Sequence, residues 1–186
     1  MRKILPVLAC LLLASAAHAT KIAKLDIIND KGFKSADYNK LRVFSVSDGE
    51  FLKTIKDIKN YDAVSDQVNE VNLAVKLAAN EYASTGYSPG KGTKLLTLTL
   101  EVSDYNAGST AAAVFVGGFG GGNGHCKYKA HFWDGQTEVA SFETTSRISH
   151  SKGGWGGGRR ATNGDESRDR IPKEVVNAVE KFLQTH

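Results

Sequence analysis

The chain has 186 residues, with 24 lysines and arginines against 20 aspartates and glutamates and a formal charge of +4. That near-balance excludes a polybasic nucleic-acid arm and a long acidic tail. At this size roughly 70% of the unfolded chain's surface can be buried, so a single core forms without a disulfide staple or a structural metal.

The first nineteen residues read as an export signal. Arg2 and Lys3 precede the apolar run Ile4 to Ala17, and the small-x-small triplet Ala17-His18-Ala19 predicts cleavage before Thr20. One domain, 20–186, is then expected. Only Cys126 of the two cysteines survives that cleavage, so an internal disulfide is excluded. Val7-Leu8-Ala9-Cys10 loosely matches a lipobox, which leaves lipid anchoring as the rival to a soluble periplasmic or secreted form. No later apolar stretch reaches the roughly 18 residues of a spanning helix, so no transmembrane segment is expected after cleavage.

In chain order, Leu41, Val43 and Phe44 give the first strand candidate, and Phe51, Leu52, Ile55 and Ile58 a short amphipathic turn. Val64, Val68, Val71, Val75, Ala78 and Tyr82 recur at steps of three and four, one stripe of a helix over 62–84. Gly86 is expected as its C-cap. Leu96 to Val102 alternates apolar with polar, the period of a strand with one buried face. A third strand over about 125–133 pairs through Asp134-Gly135 with a fourth over 138–148, as a hairpin. Ile171, Val175, Val176, Val179, Phe182 and Leu183 share a helical face, with Pro172 expected in the first turn. These elements predict an α+β two-layer sandwich, a mixed sheet of three to five strands with two main helices packed on it.

Glycine is the outlier, with fourteen of nineteen between Gly108 and Gly164. Two clusters stand out, near 117–124 and 153–158, one before the first hairpin strand and one after the second. A hairpin closed at Asp134-Gly135 puts both at its open end. The second cluster holds Lys152, Trp155, Arg159 and Arg160, an aromatic ring with three cations, suited to an anionic or carbohydrate-bearing surface. Those four residues are the candidate partner-binding site; the plainer alternative is a solvated connector.

Catalytic signatures fail on spacing. Gly86-Tyr87-Ser88-Pro89-Gly90-Lys91-Gly92 is one residue short of a phosphate loop and ends on glycine where a hydroxyl is needed. Neither G-x-S-x-G nor H-E-x-x-H occurs. His125 and His131 fall on one strand face, roughly 20 Å apart, and Cys126 on the other, which argues against a shared zinc ion. No cofactor, catalytic residue or metal ligand is assigned.

The alternating strand Leu96 to Val102 running into Ser103-Asp104, then Gly117-Gly118-Phe119-Gly120, the Asp134-Gly135 hairpin and the C-terminal amphipathic helix resemble an uncharacterised family of bacterial exported proteins and lipoproteins with a glycine-rich segment. The resemblance covers about half of the mature chain. It implies a fold and an envelope location, and it assigns no catalytic residue. The functional expectation is a non-enzymatic periplasmic interaction or accessory module whose partner is another envelope component or protein. An unrecognised envelope hydrolase is the alternative.

Overall fold

The computed structural model describes residues 24–106, 124–148 and 163–186. The signal segment and Cys10, the glycines of 117–123 and 153–158, and Lys152, Trp155, Arg159 and Arg160 lie outside them.

Five strands form one mixed sheet: β1 (Lys24–Asn29), β2 (Tyr38–Ser47), β3 (Lys94–Asn106), β4 (Gly124–Asp134) and β5 (Thr137–Ile148), in the spatial order β1-β5-β4-β3-β2. The three consecutive strands β3, β4 and β5 are antiparallel neighbours, while β2 joins β3 in parallel. Parallel pairing demands a long crossover. That crossover carries α1 (Phe51–Thr54) and α2 (Tyr61–Glu81). A last helix, α3 (Asn163–Thr185), lies beside α2 on the same face of the sheet. The α+β two-layer sandwich is therefore the observed architecture.

Alternation on the strands decides which face the helices cover. Leu96, Leu98, Leu100 and Val102 on β3, Cys126, Tyr128, Ala130 and Phe132 on β4, and Ala140 and Phe142 on β5 are all buried. They meet Val68, Val71, Val75 and Ala79 of α2 and Ile171, Val175, Val179 and Phe182 of α3. Each such side chain fully removed from water contributes about 1.5–3 kcal/mol, so the two apolar stripes account for why these helices form and dock. Phe182 is the hub, with ring centroids 5.6 Å from Phe33, 5.2 Å from Phe132 and 5.0 Å from Phe142. Polar links also join sheet and helix: the Tyr128 hydroxyl donates to Asn72 Oδ1 at 2.7 Å and the Tyr105 hydroxyl to Gln67 Oε1 at 3.1 Å.

Several local expectations need correction. β1, which carries no clear alternation, lies beside β5 at one edge of the sheet. Phe44 is 70% exposed because alternation from the core-facing Leu41 and Val43 points it to the other side, and the register slip between Val43 and Ser45 then returns Val46 to the core. Pro172 is well inside α3, which starts eight residues before Ile171. Gly86 is not a left-handed cap, since among the described glycines only Gly32, Gly49 and Gly135 have positive φ. It closes a π turn (Tyr82–Gly86), where a Cβ would stand 2.7 Å from the Tyr82 ring. Gly90 and Gly92 also serve close approach. Their amides donate to the carbonyls of Tyr38 and Ala36, and a Cβ on either would collide with the backbone of Ala36 or Asp37.

Candidate functional site

Every second residue of the strands points away from the helices and builds a polar face. On β4 these residues are His125, Lys127, Lys129, His131 and Trp133, all half-buried among their neighbours. Across from Lys129 stand Glu101 of β3 and Glu143 of β5, and Glu143 in turn faces Asp26 of β1. The central strand is thus basic and its flanks acidic, an arrangement in which cross-strand pairs of opposite charge stabilise the sheet by about 0.2–1 kcal/mol each. His131 Nδ1 lies 3.0 Å from Glu138 Oε2, and its ring packs 6.3 Å from that of Trp133. Ser103 donates to Glu143 Oε2 at 2.9 Å.

The densest charged group is at one end of this face. His125 Nε2 is 2.8 Å from Asp104 Oδ2, and Lys127 Nζ is 3.3 Å from the same oxygen. Partial burial pushes the Asp104 carboxyl up, but the hydrogen bonds and positive charges of His125 and Lys127 outweigh it and hold the group below the usual carboxylate value. A bulge between Val102 and Asp104 shifts the register so that Asp104 stands opposite Lys127. Arg147 of β5, exposed, faces His125, and its carbonyl accepts a hydrogen bond from the Arg170 guanidinium of α3. Arg170 also pairs with Glu174 at 2.8 Å.

Both glycine-rich segments are rooted here. Residues 107–123 leave β3 at Asn106 and rejoin at Gly124, and residues 149–162 leave β5 at Ile148; Asn106 pairs with His125, and Gly124 with Ile148. The hairpin turns at the far end through Gly135, whose φ of 62° suits glycine. The expectation that the two segments attach at the open end of the hairpin therefore holds for their anchor residues. Lys152, Trp155, Arg159 and Arg160 belong to the second segment and lie outside the described residues.

His125 and His131 share a face, as alternation requires, and Cys126 turns into the core. Burial raises its thiol far above the ordinary value, so it is not a thiolate nucleophile at neutral pH. Among the described residues no group of three or more His, Cys, Asp and Glu is placed to hold a metal ion, and no helix is long and apolar enough to cross a membrane. The Asp104–His125–Lys127 cluster escaped notice in the sequence because Asp104 is 21 positions from its histidine; only alternation of His125 with Lys127 and Lys129 hinted at a polar strand face.

No protein-family model and no curated protein sequence matches the chain. Among solved structures, a leucine-to-methionine variant of the PelC dodecamer from Paraburkholderia phytofirmans is similar at 11% identity and a TM-score of 0.35, covering 84% of this chain and 97% of that one. A second PelC dodecamer structure from the same organism matches at 12% identity and a TM-score of 0.29, with the same coverage. Similarity at this level transfers neither residue roles nor assembly.

Proposed function

We propose that the protein is an exported, non-enzymatic module of the bacterial envelope that meets another envelope component through the end of the sheet at which its glycine-rich segments are rooted. The observation that carries this reading is the pairing of Gly124 with Ile148 beside the Asp104–His125–Lys127 cluster and the exposed Arg147. Two glycine-rich segments on adjacent roots let backbone approach a partner closely at a cost in ordering entropy. Trp155 serves as an anchor and Lys152, Arg159 and Arg160 as directed donors, the aromatic and arginine residues on which contact energy concentrates. The inward turn of Cys126 agrees with a binding role more than with thiol chemistry.

The test is a triple change of Trp155, Arg159 and Arg160 to Ala, read by co-purification from an envelope fraction together with a thermal melt. Loss of a specific co-purifying component at an unchanged melting point is expected. Full recovery of that component sinks the assignment of these residues. Mass spectrometry of the exported form tests location separately: a mature chain starting at Thr20 is expected, and a lipid-modified N-terminus at Cys10 makes the protein an anchored one.

A further inference from the structure

At the opposite end of the sheet from the glycine-rich segments, a pocket of about 290 Å³ opens between the 3-10 turn Ser35–Asp37, the π turn, the strand of backbone leading to Gly90, and the last turn of α3. Its volume is at the lower limit for small-molecule sites, which fits a ligand of few atoms. The rings of Tyr82 and Tyr87 line it, with Ser35, Ser88, Gln184 and the carboxylate of Glu180.

Three features give this pocket one electrical sign. Glu180 is the charged side chain among its lining residues, and among the described residues it has no cationic partner; its Oε1 only accepts a hydrogen bond from Gln184 at 3.1 Å. The two long helices both run toward this end, α2 through its π turn to Gly86 and α3 to Thr185, so two negative helix ends converge here. Neither α2 nor α3 carries a basic residue in its last turn, and at the end of α3 His186 Nδ1 stands 3.0 Å from the Phe182 carbonyl. The Tyr82 hydroxyl feels this environment: burial first, then the charge of Glu180, push its pKa up to about 12. Tyr82 and Tyr87 therefore stay neutral phenols at physiological pH, and the Tyr87 hydroxyl is occupied in donating to the Tyr38 carbonyl at 3.1 Å.

We propose that this pocket binds a small alkylammonium, its charge met by Glu180 and the two helix ends and its alkyl groups lying against the rings of Tyr82 and Tyr87. A cation over tyrosine faces beside a carboxylate is the arrangement by which quaternary ammonium groups are held. Gly86 and Gly90 contribute by omission: side chains there would strike Tyr82 or the Ala36 backbone. This inference is independent of the partner surface at the other end of the molecule.

The test titrates the whole protein with choline chloride by calorimetry, alongside its uncharged isostere 3,3-dimethyl-1-butanol. Saturable choline binding is expected, with the neutral alcohol weaker by roughly tenfold or more. Glu180→Gln keeps the shape and the contact with Gln184 and removes the charge, so it should weaken choline by about tenfold and leave the alcohol unchanged. Tyr82→Leu should weaken choline with an unchanged far-ultraviolet spectrum. Phosphatidylcholine vesicles form a separate arm, in which co-sedimentation abolished by Glu180→Gln assigns the site to a membrane headgroup, and its absence beside choline binding assigns it to a free ligand. Equal affinity for choline and the alcohol, choline affinity indifferent to Glu180→Gln, or no saturable choline binding at all overturns the proposal.

Discussion

Removing the Phe182 ring is the sharpest probe of how the two layers hold together. The side chain is fully buried, stacked on Phe33 and Phe132 and tilted against Phe142, all with ring centroids within 6 Å. Two of those neighbours are on central strands, where the backbone ladder prevents the walls from collapsing into a void. Truncation of a buried phenylalanine costs about 3–5 kcal/mol, the upper part of that range applying where the site cannot relax. Phe182→Ala should therefore cost about 4–5 kcal/mol, a large share of the roughly 5–15 kcal/mol by which a domain of this kind is stable. Urea denaturation followed by far-ultraviolet circular dichroism measures it, with the slope of the transition unchanged. Phe182→Leu should lose clearly less. A loss below about 1 kcal/mol for the alanine variant would mean that α3 does not dock on the sheet, because surface changes stay within that range.

Tyr128→Phe leaves Asn72 Oδ1 without its donor in the core and should cost about 1–3 kcal/mol in the same assay, whereas a neutral result would place water at Asn72. Gly92→Ala sets a methyl against the Asp37 backbone and should lower the melting temperature more than Gly32→Ala, which meets open space and is strained only by its φ of 74°. Asp104, held below the usual carboxylate value, contributes stability above the unfolded carboxylate range and loses it as pH falls through the folded value. Asp104→Asn should accordingly flatten the acid limb of a stability-against-pH curve relative to the natural protein. Native Cys126 should resist iodoacetamide at neutral pH and react once the chain is unfolded in urea, as its burial demands.

The parts of this fold that were legible in the sequence are those with a strong period and a buried face. Val68, Val71 and Val75 marked α2; Leu96, Leu98 and Leu100 marked β3; Val175, Val179 and Phe182 marked α3; and Gly135 marked the hairpin. What escaped was decided by contacts distant in sequence. β1 is an edge strand with Ile27 and Ile28 about half exposed, so its pattern carries no alternation and its pairing with β5 is set by the sheet. Gly86, Gly90 and Gly92 resemble a failed phosphate loop; Gly86 clears the Tyr82 ring within its own turn, whereas the clearance Gly90 and Gly92 give the backbone of residues 36 and 37 exists only after β2 and β3 have paired. Pro172 ends up inside α3 although, without an N–H, it cannot donate to the carbonyl four residues earlier, a cost that burial of the flanking Ile171 and Val175 offsets. Of the candidate site, the common root of the glycine-rich segments followed from the hairpin alone, whereas the Asp104–His125–Lys127 cluster depends on the β3–β4 register and its bulge.

Partner contact at the glycine-rich end of the sheet can be distinguished from contact at the hairpin turn. The most direct measurement is site-resolved photo-crosslinking in the intact envelope, with a photoreactive amino acid in place of Arg147 at that end or of Gln136 at the hairpin turn, both exposed positions. A discrete adduct is expected from position 147 that disappears when Trp155, Arg159 and Arg160 are changed to Ala, and none from position 136. An adduct from position 136 with none from position 147 would contradict it.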